Sequence, residues 1–156
     1  MAWNIEIMAY KPADLGFDDI IPDIFERTDK VVTFEEATSS KMKGKLCIGN
    51  FNNTTILIDV NCKIAGKIQD FTKLTRNREM HFARVSSNEI VYSAKNNKKY
   101  TEGSVFGRLL GQKSGPEYTD DMDGEQRAWE YLSHYLKMNC PEALFESKYT
   151  VYVLDL

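Results

Sequence analysis

The sequence offers two imidazole groups for acid–base chemistry or metal binding, His81 and His134. His134 lies four residues after Glu130, a spacing that brings a carboxylate and an imidazole together on one helix face. A cleft in which at least two of His81, Glu130 and His134 converge would define a small enzyme or ligand-binding domain. The simpler interpretation is that His134 lies on a helix surface and that His81, beside Phe82 in a strand, has a structural role.

The three cysteines, Cys47, Cys62 and Cys140, form an odd set without a C-x-x-C pair. This pattern predicts neither a disulfide framework nor a zinc site, and it favours a reducing compartment. Cys140 precedes Pro141 at a predicted helix end, away from the N-terminal dipole that activates a thiolate. We therefore expect these cysteines to be small apolar packing residues.

An acidic run at Tyr118–Glu125 resembles part of a calcium-binding loop. In an EF-hand frame, positions one, three, five, six and twelve fall on Thr119, Asp121, Asp123, Gly124 and Glu130. Position one is then threonine instead of aspartate, and the polar Gln126 stands where an apolar residue normally packs. The alternative is that Asp123 caps a helix whose partial positive N-terminal charge favours acidic neighbours. Asp120, Asp121 and Asp123 are retained as candidate binding residues.

Two glycine-containing segments approach known catalytic motifs without matching them. In Gly107–Ser114, Gln112 separates the second glycine from the lysine of a phosphate-binding loop. In Gly103–Gly107, Ser104 is not at the central position that a nucleophile elbow requires. We therefore predict no catalytic residue, no metal ion and no cofactor, and the sequence favours a protein that is not an enzyme. Chemistry by carboxylates alone stays open, because Asp and Glu are too numerous for one pair to stand out.

Aromatic residues make up 12% of the chain, and three of them fall together on a predicted C-terminal helix: Trp129, Tyr131 and Tyr135. Tyrosine and tryptophan dominate binding hot spots, so these residues are candidates for an exposed patch that anchors a protein partner. The same stripe also fits the buried face of the helix, and the sequence does not separate the two interpretations.

Charge is distributed in three blocks, although the formal net charge is only −3. Residues 1–40 and 114–156 each carry a net charge of −6, and residues 41–113 carry +9. The basic block interleaves lysines with aromatic residues, a combination suited to single-stranded nucleic acid, with Lys95, Lys98 and Lys99 as candidate contacts. A sequence pI of about 5.5 argues against this alternative, and lysines on turns and strand edges also serve solubility.

A chain of 156 residues with 42% hydrophobic and 28% charged residues has the composition of one globular domain, which we assign to residues 1–156. This composition excludes disordered, collagen-like and disulfide-rich classes. No window reaches the roughly 20 apolar residues that cross a bilayer. Met1–Lys11 has neither the basic nor the apolar region of an export signal, so we expect a soluble cytoplasmic protein.

Alternating apolar residues predict several strands joined by tight turns. Asn52-Asn53 separates two of them, because asparagine tolerates the positive φ of a two-residue hairpin turn. Ser86–Asn88 and Asn96-Asn97 favour further turns, the second leading toward Tyr100. The strand segments are Asn4–Tyr10, Lys30–Phe34, Leu46–Phe51, Thr54–Val60, Glu79–Val85, Glu89–Ala94 and Lys148–Leu154.

Two helices complete the predicted fold. Apolar residues at steps of three and four predict a short helix over Phe17–Arg27, and a longer helix over Gly124–Met138 follows a capping-box spacing. Segment 64–74 fits a short helix less well, and 103–116 is typical of an irregular connection. The fold class is α+β: a single domain with a mainly antiparallel sheet of five to seven strands and both helices on one face. We expect Asn4–Tyr10 to be half-buried and Lys148–Leu154 to lie near the sheet centre.

These observations favour a non-catalytic soluble protein-interaction module. A small acidic inhibitor, such as an immunity-type protein that blocks a basic toxin or nuclease, is one version, with opposite charges steering the encounter. Single-stranded nucleic-acid binding through the basic block, and a small enzyme or ligand-binding domain, are the alternatives. A membrane partner is not expected, and homo-oligomerisation stays open.

Overall fold

The computed structural model describes residues 3–13, 16–17, 25–60, 78–95, 98–103 and 121–154. The strands in these ranges are β1 Ile5–Lys11, β2 Phe25–Val32, β3 Lys45–Phe51, β4 Thr54–Asp59, β5 Glu79–Val85, β6 Ile90–Lys95, β7 Lys98–Gly103 and β8 Tyr149–Leu154. The α-helices are α1 Phe34–Ala37 and α2 Gly124–Leu136, and two 3-10 helices span Ser40–Met42 and Glu142–Glu146.

The eight strands of the described ranges form one antiparallel sheet in the order β2-β8-β3-β4-β1-β5-β6-β7. The predicted α+β class with a mainly antiparallel sheet is therefore confirmed. The described ranges hold eight strands where five to seven were predicted, because the residues that follow the Asn96-Asn97 turn form a further strand, β7. β8 is an interior strand between β2 and β3, one position from the edge instead of near the centre.

The chain reverses at the turns that asparagine and serine predicted. β3 and β4 pair on either side of Asn52 and Asn53, whose φ angles are 51° and 57°. Both residues have the positive φ that a two-residue turn requires, which asparagine adopts more readily than most other non-glycine residues. β5 pairs with β6 around Ser86–Asn88. β6 pairs with β7, and the connecting residues 96–97 lie outside the described part of the chain.

The predicted C-terminal helix is confirmed as α2, and its capping box is present. The Asp123 carboxylate accepts a hydrogen bond from the Gln126 backbone N–H at 2.9 Å, and the Gln126 side chain accepts one from the Asp123 backbone N–H at 2.8 Å. These two bonds satisfy donors that the first turn of a helix otherwise leaves without partners.

The predicted helix over Phe17–Arg27 is wrong at its C-terminal end, because Phe25 begins strand β2, which pairs with β8. Pairing in a sheet outweighs a local helical spacing of apolar residues. The predicted strand at Lys30–Phe34 is confirmed as far as Val32, and Phe34 begins α1. Residues 18–24, 61–77 and 104–120 lie outside the described ranges. The prediction for segment 64–74 falls there, and so does that for segment 103–116 apart from Gly103, which ends β7.

Both faces of the sheet bury apolar side chains. On one face, Ile5, Ile7 and Ala9 of β1 pack with residues of α1, α2 and the Glu142–Glu146 helix. On the other face, Met8 and Tyr10 of β1 pack with residues of β3, β4, β5 and β8. Strand β1 is therefore buried on both faces instead of half-buried. The two α-helices lie on the same face of the sheet, but α1 is not the N-terminal helix that was predicted over Phe17–Arg27.

Helix α2 is fixed to the β5–β6 hairpin at its first turn. An added Cβ on Gly124 would lie 2.4 Å from the Ser87 carbonyl oxygen and 2.5 Å from that of Ser86. Only glycine therefore allows the helix backbone to approach the hairpin backbone this closely. The Arg127 guanidinium donates to both carboxylate oxygens of Glu89, at 2.6 and 3.0 Å. A bidentate pair of this kind fixes orientation as well as distance. This anchor determines which α2 side chains face β5 and β6.

Candidate functional site

A row of polar side chains connects β5, β6 and α2. His81 and Ser93 are directly opposite each other on neighbouring strands, with His81 Nδ1 2.7 Å from Ser93 Oγ. The other ring nitrogen, Nε2, lies 3.1 Å from Glu79 Oε2. The Ser93 hydroxyl also forms a hydrogen bond with the Tyr131 hydroxyl of α2. Glu79, His81, Ser93 and Tyr131, called the His81 network below, form a continuous chain of hydrogen bonds.

The acceptor at the end of the His81 network fixes where its protons lie. An ionised carboxylate can only accept, so His81 Nε2 carries the proton and donates it to Glu79. Nδ1 then accepts from the Ser93 hydroxyl, and Ser93 accepts from the Tyr131 hydroxyl. Each O–H and N–H group in the chain has an acceptor in this arrangement, which requires the neutral imidazole.

Burial keeps His81 in this neutral form. The residue is fully buried, and desolvation lowers its pKa from 6.5 to about 4. The hydrogen bond and negative charge of Glu79 raise the pKa, and the positive charges of Lys11 and His134 lower it. Desolvation is the largest of these effects, because a charged imidazole would lose its hydration.

The His81 network has the carboxylate–imidazole–hydroxyl order of a hydrolytic triad, but its hydroxyl is directed inward. Ser93 is 0% exposed, and its oxygen already bonds to His81 and Tyr131. The member nearest solvent is the Glu79 carboxylate, whose side chain is 37% exposed. Because a nucleophile must reach the reacting atom of its substrate, this geometry holds the helix to the sheet and presents no attacking group.

His81 and His134 contact the same tyrosine ring from different environments. The ring of Tyr135 stacks on His81 with 4.8 Å between centroids, and His134 packs edge-on against Tyr135 at 4.8 Å. His134 is exposed, whereas His81 is fully buried. His81 therefore has the predicted structural contacts, and a cleft formed by at least two of His81, His134 and Glu130 stays a prediction.

The calcium-loop interpretation of the acidic run is wrong. Gly124, which would make the sharp loop turn, and Glu130, which would be the last ligand, both lie within α2. Asp123 is the N-cap of α2, Asp121 is exposed, and Asp120 lies outside the described residues. Among the side chains that the structure describes, no three His, Cys, Asp or Glu residues are grouped as metal ligands.

The aromatic stripe of α2 is the buried face of the helix and not an exposed patch. Trp129 is 8% exposed and Tyr131 is 1% exposed, and both pack in the core beneath α2. Tyr135 is half-buried between the two histidine rings. An amphipathic helix buries its apolar stripe against the sheet, so these residues are not the exposed anchor that was one of the two interpretations.

Lys95, Lys98 and Lys99 lie on the β6–β7 pair at one end of the sheet, where Lys95 and Lys98 are Cα partners. The backbone therefore brings these three positions together. Two other residues of the basic block are used inside the protein. Phe82 is 1% exposed and cannot stack on a base, and the Arg84 guanidinium donates to the Glu6 carboxylate at 2.8 and 3.0 Å.

An exposed aromatic residue flanked by carboxylates lies where α1 meets the Glu142–Glu146 helix. Phe145 is 46% exposed, and its ring packs edge-on against the fully buried Phe34 at 4.8 Å. Glu36, Glu142 and Glu146 are exposed, and neither helix contains a Lys or Arg. The acidic surface is defined as Glu36, Glu142, Phe145 and Glu146. The helix sequences FEEA and EALFE each join one phenylalanine to two glutamates, a signal that the sequence-based predictions did not use.

Cys47 and Cys140 are buried free thiols. Burial is the main reason that the pKa of each is raised to about 12. A thiol that stays protonated at neutral pH is a poor nucleophile and a poor metal ligand. Cys62 lies outside the described residues.

No protein-family model matches the chain, and no curated protein or solved structure matches it. Within the described residues, none of the helices has both the length and the apolar character needed to cross a lipid bilayer.

Proposed function

We propose that this chain is a non-catalytic protein-interaction module that binds a basic partner protein through the acidic surface. The observation that carries the proposal is Phe145, a ring packed on Phe34 and left 46% exposed beside carboxylates. The chemistry of the partner follows from this surface: an apolar pocket or patch for the ring, and lysine or arginine for the glutamates. A small acidic inhibitor of a basic enzyme has these properties.

Phe145 has the support that a binding anchor needs. The ring beneath it, Phe34, is itself packed against Trp129 and Tyr149, with centroids 6.5 and 6.2 Å apart. An anchor already held by its neighbours loses little conformational freedom when a partner binds. Removing the exposed half of the Phe145 ring from water contributes about 1 kcal/mol, and anchors that fill a pocket in the partner contribute more.

The glutamates of the acidic surface would set the rate of association and the choice of partner. An exposed ion pair adds little affinity by itself, typically about 0–1 kcal/mol. Several carboxylates on one surface nevertheless attract a basic protein surface over a Debye length of about 8 Å, and they repel an acidic protein surface. The proposal therefore assigns most of the affinity to Phe145, and the association rate and discrimination to Glu36, Glu142 and Glu146.

The proposal places the module in the cytoplasm. The described cysteines, Cys47 and Cys140, are free thiols, a state that a reducing compartment maintains. In this proposal the His81 network has no catalytic role, and it holds α2 against β5 and β6.

Affinity capture from a lysate of the source organism, followed by measurements on the purified partner, tests the proposal. The wild-type chain should retain a basic protein at low salt and release it as salt rises. Phe145→Ala should weaken the dissociation constant by about tenfold or more. Ile90→Ala is the matched control, because Ile90 is also an exposed apolar residue, at 39%, but lies on β6. Replacing the three glutamates by glutamine should lower the association rate by about tenfold at low salt.

Retention of no basic protein at low ionic strength would count strongly against this function. Equal losses of affinity in Phe145→Ala and Ile90→Ala would exclude the acidic surface as the binding site. An association rate that does not respond to salt would contradict the electrostatic part of the proposal.

A further inference from the structure

A groove of about 440 Å³ lies between the start of β1, α1, the Ser40–Met42 helix and the end of β4. Trp3, Ile5 and Val60 provide the apolar part of its lining. The lining also contains one acidic and one basic residue, Glu35 and Lys43. The volume falls in the lower part of the roughly 300–1,000 Å³ range of small-molecule sites.

The two charged groups of the groove are available to a ligand. Glu35 and Lys43 are both exposed, and within the described residues they form no ion pair with each other. A ligand with a single charge would be attracted by one group and repelled by the other. A ligand that carries both charges can satisfy the two groups together, so the lining favours a zwitterion.

The apolar side of the groove is held in place by the core. The Trp3 ring packs edge-on against Trp129, with 5.5 Å between centroids, and the Trp3 backbone N–H donates to the Glu125 carboxylate. Trp3 is half-buried, so part of this fixed residue remains exposed to solvent. An aromatic wall in a fixed position contributes apolar contact area at low entropic cost.

We propose that the groove binds a short zwitterionic peptide of about dipeptide size. Its ammonium group binds Glu35, its carboxylate binds Lys43, and an apolar side chain packs against Trp3. Ser40 is also a lining residue, and its hydroxyl would be a further hydrogen-bonding group for the peptide backbone. This site is independent of the acidic surface, because the two share no residue, and it stands or falls separately from the proposed function.

Calorimetric titration with the dipeptide glycyl-leucine tests the groove, with tryptophan fluorescence as a second readout. We expect a dissociation constant of about 1 mM or lower, as befits a ligand with few atoms. Glu35→Gln and Lys43→Met should each weaken binding by about fivefold. The matched controls are Glu26→Gln and Lys41→Met, exposed residues outside the groove lining, and both should bind as wild type does.

Blocked peptides assign each charge to its partner. N-acetyl-glycyl-leucine lacks the ammonium group, so its weaker binding should no longer respond to Glu35→Gln. Glycyl-leucine amide lacks the carboxylate and should no longer respond to Lys43→Met. Equal affinity for the free and blocked peptides would overturn the proposal, and so would the absence of any saturable signal. Because all four substituted residues are exposed, an unchanged circular dichroism spectrum will show that the variants are folded.

Discussion

His81 shows how burial decides the chemistry of a side chain. A carboxylate such as Glu79 normally favours the charged imidazole, and its hydrogen bond does so here. The cost of removing a charged ring from water is larger, and the ring therefore remains neutral between Glu79 and Ser93. In this neutral state every proton of the His81 network has an acceptor.

The depressed pKa of His81 predicts that stability falls as the pH decreases. In the unfolded chain His81 takes up a proton near its ordinary pKa of 6.5, whereas in the folded protein it does so only near pH 4. Between these values the unfolded state binds more protons, so the free energy of unfolding decreases by up to about 3 kcal/mol as the pH falls. Above the unfolded pKa this contribution is fully present. Urea unfolding measured at several pH values between about 4 and 7 will show the effect.

His81→Asn isolates the contribution of this residue from that of the carboxylates. The amide of asparagine can form hydrogen bonds, but it does not titrate. The variant should be destabilised most at neutral pH, and the difference from wild type should shrink toward pH 4, because only wild type loses the histidine contribution. A difference that stays constant over this range would mean that the folded protein does not depress the pKa of His81.

Turns and helix ends that are marked by local turn-forming or capping residues were predictable from the sequence. The Asn52-Asn53 turn and the Asp123 capping box both depend on residues within a few positions of each other, and both are present. The N-terminal part of β2 was not predictable, because its state depends on pairing with β8. The Thr28 hydroxyl of β2 donates to the Val151 carbonyl 123 residues away, a contact that no local periodicity reveals.

The same distinction applies to the candidate sites. Strand alternation places Glu79 and His81 on one face, so half of the His81 network follows from the sequence. Ser93 and Tyr131 are separated by 38 residues and meet only because α2 packs on β5 and β6. Exposure of Phe145 likewise depends on how two short helices pack, and both the acidic surface and the groove were missed.

The close approach of α2 to the β5–β6 turn predicts that Gly124→Ala is destabilising. Alanine is the better helix former by about 1 kcal/mol, which alone would increase stability. Its Cβ, however, would lie 2.4 and 2.5 Å from two backbone carbonyl oxygens and 2.7 Å from Glu89 Oε2. Backbone atoms cannot move cheaply, so we expect a net loss of about 1–3 kcal/mol in the free energy of unfolding, measured in urea.

His134→Ala is the control for Gly124→Ala, because His134 lies on the exposed side of the same helix. It should change the free energy of unfolding by no more than about 0.5 kcal/mol. A Gly124→Ala variant as stable as wild type would show that the first turn of α2 is not held against the hairpin.

The strand order converts the charge blocks of the sequence into an arrangement in space. β2 and β8 come from the two acidic blocks and are neighbours at one end of the sheet, whereas β5, β6 and β7 come from the basic block and form the other end. The acidic blocks also meet where α1 contacts the Glu142–Glu146 helix. Composition alone does not distinguish this arrangement from one in which the acidic segments cover the basic block, because strand order depends on pairing between distant residues.

This separation predicts that partner binding does not depend on the basic end of the sheet. Replacing Lys95, Lys98 and Lys99 on β6 and β7 by glutamine makes the chain three charges more negative and leaves the acidic surface intact. The variant should bind a basic partner at least as fast as wild type, measured as an association rate at low and high salt. A single-stranded oligonucleotide tests the basic end of the sheet instead. Any salt-sensitive affinity for the oligonucleotide should disappear in the triple variant and persist in Phe145→Ala. If the triple variant instead loses the protein partner, the basic block and not the acidic surface is the binding site.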